Sequence, residues 1–180
     1  MNFPVLLTNR QQWYTEIMLH RFILCLTCIM LLSLAGCAHV VSQEMRTRAE
    51  PRVDAARLFA DPEAFREQTV ILGGVIIACR NVTEGTHLEV LQKPLNYRDI
   101  PEDTDVSYGR FLVIYNGYLD TANYAPGRLI TVAGEVIGGK SGTLEEMPYR
   151  YPYIKGREVH LVDRSSSLPI SFGIGVFKSF

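Results

Sequence analysis

This chain lacks a charge excess, a membrane-length apolar run and a usable set of cysteines, and each shortage removes a class of protein. Its 18 basic and 19 acidic residues leave a net charge of −1, without the basic surplus that tracks a phosphate backbone. Nucleic acid is therefore not an expected partner. The uncharged apolar run at 22–34 has 13 residues, about 20 Å of helix against a ~30 Å hydrocarbon core. It is too short for a permanent membrane span. Fourteen glycines and nine prolines are spread without clustering, which excludes collagen-like and low-complexity chains.

Catalytic and metal constellations are missing in the same way. Cys25 and Cys28 have redox-motif spacing, but they lie inside the apolar run and no βαβ pattern follows. His87 and His160 stand far apart in sequence, with no spacing that builds a zinc site. The acidic stretch from Asp99 to Asp105 lacks the central glycine and terminal glutamate of a calcium loop, and reads as a solvated loop. Glu145 and Glu146 are adjacent, so on a strand they face opposite sides and cannot share acid–base work. Ser165 to Ser167 have no elbow glycines around them. No enzyme, metal or cofactor is expected.

What is present begins at Met18. A short cationic start at His20 and Arg21, the apolar run, and the small residues Ala35 and Gly36 make a secretory signal. The four residues Leu34-Ala35-Gly36-Cys37 resemble the bacterial lipobox. That resemblance implies cleavage before Cys37 and acyl chains on its thiol, so the covalent lipid is the one expected addition. The processing and export machinery of lipoproteins then become partners, together with the outer membrane itself. An ordinary cleaved signal, with Cys37 incidental, is the alternative. Ala38 carries no charge; in such lipoproteins an aspartate there retains the protein at the inner membrane, so export to the outer membrane is implied. Residues 1–17 precede a complete signal that has its own methionine, and read as a mis-assigned start. Loss of residues 1–36 removes Arg10, Arg21 and Glu16, leaving 16 basic and 18 acidic residues. Cys79 is then the one unmodified thiol, in an apolar strand, and reads as buried and inert.

The remainder divides into a lipidated cysteine and tether at 37–52, a β domain at 53–163 and a tail at 164–180. The tether lacks periodicity and, if flexible, would span about 21 Å. Val53, Ala56, Leu58 and Phe59 predict a short helix, restarted at Asp61-Pro62, with Phe65 reaching the core. Strands are predicted over 68–80, 86–91, 110–115, 128–137, 142–146 and 157–162, from β-branched runs and from the alternation His87-Leu88-Glu89-Val90-Leu91. Gly73-Gly74 within the first strand predicts a bulge or sharp bend. Five or six antiparallel strands, one bent at glycine, make the chain mainly β. They form a small antiparallel OB-like barrel with a short N-terminal helix, or alternatively a flatter β-sandwich.

The strand region also carries an ordered set of short motifs. These are Val70-x-x-Gly73-Gly74-x-Ile76, Gly109-Arg110-Phe111-Leu112, Gly117-Tyr118-Leu119-Asp120, Thr131-Val132-Ala133-Gly134, and Pro148-Tyr149-Arg150-Tyr151-Pro152 followed by Val159-His160-Leu161. With the lipobox, the set resembles the Slp family of Gram-negative outer-membrane lipoproteins across about 37–163. The resemblance implies a lipid-anchored outer-membrane protein, facing the periplasm, linked to starvation or stress and with no established catalytic activity. An unknown envelope protein or ligand is the implied partner. The tail departs from the aromatic, proline-rich ending of the family.

Eight of nine tyrosines fall between Tyr97 and Tyr153. Tyr149, Tyr151 and Tyr153 alternate with Arg150 and Pro152, so period-two spacing puts the three rings on one side of an extended segment. Pro148 and Pro152 mark that segment as an edge or loop. Tyr149, Arg150, Tyr151 and Tyr153 are the candidate binding residues. The rings are suited to a partner surface or, alternatively, to covering the barrel end. A ligand held inside the barrel, as in a small-molecule or lipid carrier, is the second functional reading. In the tail, Ile170, Phe172, Ile174 and Val176 alternate toward a final Phe180, like the last strand of an outer-membrane barrel. Lys178 breaks the alternation, so docking on the domain or the membrane surface is the expected role.

Overall fold

The computed structural model describes residues 14, 16–27, 39–49, 51–144 and 146–163. The chain divides into two units, Met1–Ala38 and His39–Phe180. In the first, residues 16–27 are helical, and Thr27 Oγ1 donates back to the carbonyls of Ile23 and Leu24. Among the described residues no helix is long and apolar enough to cross a membrane.

The second unit is a closed five-stranded barrel. Its strands are β1 (Thr69–Val82), β2 (Gly85–Lys93), β3 (Arg110–Tyr115), β4 (Leu129–Leu144) and β5 (Met147–Val162). Around the ring they run β1-β2-β3-β5-β4. All neighbours are antiparallel except β3 and β5, which pair in parallel from Leu112↔Tyr153 to Tyr115↔Gly156. A five-stranded Greek-key barrel of this kind is the OB architecture. The flatter sandwich is excluded because the sheet closes on itself.

Six predicted strands become five because the fourth and fifth merge into β4. Residues 142–144 continue β4 beyond Gly138 (φ +119°), where the register with β5 shifts between Val136 and Gly138. The glycine kinks the strand without ending it. Likewise 157–162 is the second half of β5, whose first half carries the tyrosines. Residues 147–152 pair with β4 only, and β3 joins at Tyr153. Pro148 and Pro152 therefore sit where one side of the strand has no ladder to supply. In β1 the bulge falls between Ile76 and Ala78, just after the glycine pair. Gly73 and Gly74 instead occupy the overlap where β1 pairs with β2 and β4 together.

Leu58, Ile76, Phe111, Ile130 and Ile154 fill the inside of the barrel, each at most 1% exposed. The interior is thus occupied by side chains, as in small barrels generally, which leaves the carrier reading without the lumen it requires. Leu58 comes from α2 (Ala55–Ala60), whose N-cap Asp54 accepts from the Ala56 N–H at 2.9 Å. Phe59 meets Phe111 edge-on at 6.3 Å. A 3₁₀ turn, Pro62–Phe65, follows with proline in its first turn. The short helix ahead of the strands is therefore the barrel's plug.

The tether expected at 37–52 is partly structured. Residues Gln43–Arg48 form a helix, α1, capped by Ser42 Oγ, with Glu44 in its first turn and Arg46 and Arg48 in its last, charges that suit the helix dipole. Val41, Met45 and Ala49 are buried, the first two against Ile71 and Ala133 on the outer side of β1 and β4. Ser42 N–H donates to Glu158 Oε2 at 3.0 Å. Nor is the acidic loop simply solvated. Asp99, at φ +63°, is fully buried. Its Oδ1 accepts from Arg52, its Oδ2 lies 3.7 Å from Arg46 Nε, and its carbonyl accepts from Thr131 Oγ1 at 2.7 Å. Two arginines from the N-terminal segment offset the desolvation that a buried carboxylate would otherwise suffer.

Candidate functional site

Packing of α1 and the β2–β3 loop covers the outer side of β1 and β4. Across the ring, among the described residues, the outward side chains at 78, 87, 89, 112, 114 and 153, on the end of β1 and on β2, β3 and β5, are half-buried. Two rows of residues cross this wall in register. One is Ala78, Glu89, Leu112 and Tyr153; the next is Arg80, His87, Ile114 and Lys155. Period-two alternation explains the rows, since Leu88, Val90, Phe111 and Val113 between them point inward and are buried.

A cleft of about 250 Å³ opens on this wall, lined among others by Ala78, Arg80, Val82, His87, Glu89 and Leu112. Glu89 is held by Arg110, with Nη1 2.8 Å from Oε1. His87 Nε2 is buried and has no hydrogen-bond partner among the described residues. A buried polar atom left unmatched forfeits about 1–3 kcal/mol. Arg80 and Glu89 add one charge of each sign, and Val82 and Leu112 supply apolar contact. Such a lining suits a mixed polar and apolar ligand, or a protein side chain.

The tyrosines form one wall beside this cleft, but they are not equivalent. Tyr149 hydroxyl accepts from the Arg110 N–H at 3.0 Å. Its ring lies 4.5 Å from that of Tyr151, edge to face. Tyr151 is 6% exposed and donates to the Thr143 carbonyl at 3.1 Å. Burial pushes its phenol up, and the Glu89 carboxylate adds to the shift. Tyr153 is half-buried, with Lys140 Nζ 4.9 Å from its ring centroid. Burial raises its phenol too. Tyr153 therefore has the freest ring of the three, joined to the cleft through Leu112.

Arg150 lies elsewhere. Its Nη2 donates to Glu63 Oε1 at 2.8 Å, as alternation on β5 requires. Glu63 also accepts from the Gly139 N–H at 3.0 Å and from Arg66 at 2.7 Å. These donors, the Gly139 amide first, pull its carboxyl down from 4.5 to about 2. A carboxylate depressed on folding stabilises fully above its unfolded value, and loses that contribution as pH falls from 4.5 through 2. Glu63→Gln is accordingly expected to lower the melting temperature at neutral pH and to match the parent near pH 2. A melting difference that stayed constant across that range would reject the linkage.

Cys79 is half-buried, and burial raises its thiol, in keeping with an unreactive side chain. Among the described residues no cluster of His, Cys, Asp and Glu could hold a metal ion. Leu34, Ala35, Gly36 and Cys37, and the tail at 164–180, lie outside the described residues. The cleft was not foreseen from sequence. The alternation of His87 and Glu89 was the available signal; their meeting with Arg80 and Tyr153 depends on register.

Comparison with known proteins bears on both ends of the chain. The sequence model of the outer membrane lipoprotein Slp family matches residues 34–169. An uncharacterized lipoprotein of Escherichia coli, YeaY, is 30% identical over 120 residues, 67% of this chain and 62% of that one. An uncharacterized protein of Haemophilus influenzae is 34% identical over 89 residues, 49% of this chain and 48% of its own length. The chain thus spans about half to three-fifths of the length of these relatives. Among solved structures, a small single-stranded DNA-binding protein of Streptomyces coelicolor aligns with TM-score 0.35 and 15% identity, over 56% of this chain and 98% of that one. The strand order and the closed ring, rather than this loose likeness, identify the fold.

Proposed function

This chain belongs to the outer membrane lipoprotein Slp family, and from that premise we propose a non-enzymatic binding module. It is tethered by an acylated Cys37 to the outer membrane and faces the periplasm. Its contact surface is the wall of β2, β3 and β5, with the cleft at its centre and Tyr153 at its edge. Tyr149 and Tyr151 hold the β4–β5 hairpin against β3 and so shape that wall. The observation that carries the reading is the cleft between Arg80, His87, Glu89 and Leu112, where His87 Nε2 has no hydrogen-bond partner among the described residues. An envelope protein or an envelope-derived ligand is the partner that fits a periplasmic address, and response to envelope stress is the setting.

A photo-crosslinking residue placed at Val82, 38% exposed on the cleft rim, tests the surface in intact cells. Discrete adducts are expected from Val82, to be lost on adding His87→Ala, whereas the same probe at Arg48 on α1 gives none of them. Adducts that are the same from both positions, or that survive His87→Ala unchanged, would reject the wall as the binding surface.

A further inference from the structure

The docked N-terminal segment limits how far the domain can stand from its anchor. Val40 is fastened to the domain through its N–H, which donates to the Arg98 carbonyl at 3.1 Å. Val41 follows at 2% exposure. The Ser42–Glu158 and Arg52–Asp99 bonds then fasten the next turns to the barrel. Only Ala38 and His39 separate Val40 from Cys37. Three peptide units reach at most about 11 Å, whereas the headgroup layer is itself about 5–8 Å deep on each side of the hydrocarbon. With acyl chains on Cys37 the surface around Val40 stays within about 3–6 Å of the headgroup layer. The flexible tether of about 21 Å suggested by composition alone is not available.

Next to that point lies Tyr97, one residue before Arg98 and 73% exposed. Among the described residues no hydrogen bond or ring contact engages its side chain. A tyrosine with an apolar body and a polar tip is suited to the headgroup level. Arg46 and Arg48 lie on α1 of the same docked segment, with side chains 35% and 62% exposed. Arg46 is beside Asp99 and Arg48 is paired with Glu44 at 2.8 Å, so they add a polar rim at the headgroup level rather than a free basic patch.

We propose that the surface formed by Tyr97 and α1 rests on phospholipid headgroups, which turns the β2, β3 and β5 wall away from the membrane. The inference rests on the anchored reading given above and adds an orientation to it. Because α1 covers β1 and β4, the strands across the ring face the aqueous side. The lipid-facing and partner-facing sides are thereby separated by the thickness of the barrel.

The full chain, processed and acylated by its host, is reconstituted in vesicles of phosphatidylethanolamine with a minority of phosphatidylglycerol. A fraction of the lipid carries a headgroup spin label. The sequence has a single tryptophan, Trp13, which processing removes with residues 1–36, so the mature protein is itself a silent background. In that background Tyr97→Trp should lose roughly half or more of its emission to the quencher. Tyr118→Trp, also strongly exposed but in the β3–β4 loop, should lose little. Amide exchange on the unsubstituted protein gives a second reading, with vesicles expected to protect 94–109 more than 116–128. Equal quenching at both positions, or none at Tyr97→Trp in protein that floats with the vesicles, overturns the orientation. Protein that fails to float and has no acyl mass overturns the anchor itself, an outcome distinguishable from the first.

Discussion

Replacing Gly74 by alanine is expected to unfold the barrel or lower its melting temperature by about 15 °C or more. A Cβ at this position would lie 1.9 Å from the Leu91 carbonyl oxygen and 2.9 Å from Val90 Cγ1. The first of these is backbone, locked in the β1–β2 ladder, so it cannot rotate away. Relief requires the ladder to part where β1 also pairs with β4. Total stability of a domain this size is about 5–15 kcal/mol, and a backbone clash inside a ladder belongs with the rare losses above ~4 kcal/mol. Two neighbouring cases calibrate the effect. At Gly73 the nearest obstacle is the side-chain atom Leu95 Cδ2 at 2.3 Å, which can move, so Gly73→Ala should cost less. At Gly127 nothing lies within 4 Å, but φ is +86°, so Gly127→Ala should cost only the left-handed penalty of about 1–2 kcal/mol. Thermal melts should rank the three with Gly74→Ala lowest. Equal melting temperatures for Gly74→Ala and Gly127→Ala would mean that the strands are not packed this closely.

That contrast also explains what the sequence could and could not reveal. Alternation in β2 and the β-branched run of β1 are consequences of a one-sided barrel wall, so the strands and the closed β architecture are legible residue by residue. The glycine pair announces a close approach, yet not which strand approaches. Merging of six strands into five depends on Gly138, a kink that local pattern reads as an end. Parallel pairing of β3 with β5 is a property of the closed ring and leaves no trace in either strand. In the N-terminal segment a signal was present but thin. Val41, Met45 and Ala49 recur every four residues behind the N-cap Ser42, yet three apolar positions among eight polar or charged neighbours resemble a solvated tether. The candidate site follows the same division. Tyr149, Tyr151 and Tyr153 share a side as spacing requires, while Arg150 turns to Glu63 because alternation sends it the other way. The cleft at His87 needs cross-strand register, which sequence spacing does not contain.

Removal of the acyl site should have the other large effect, on location rather than folding. Cys37→Ala is expected to move the protein from the outer-membrane fraction to the soluble periplasm or to an unprocessed precursor. One acyl chain supports only marginal, reversible membrane binding, with a partition constant of about 10⁴ M⁻¹, and each further buried CH₂ adds about 0.8 kcal/mol. A chain modified with several acyl groups is effectively permanent in the membrane. Without them the remaining attraction is that of Tyr97 and the polar rim of α1, an exposed and salt-screened contact. High salt should therefore release any residual Cys37→Ala protein while leaving the parent bound. Intact masses identify which species is present: residues 37–180 with acyl chains for the parent, and no acyl mass for the variant. The barrel itself should melt unchanged, since Cys37 lies outside its five strands. Parent-level retention of Cys37→Ala in membranes after a salt wash would exclude the lipid anchor and shift the burden of membrane attachment to the protein surface.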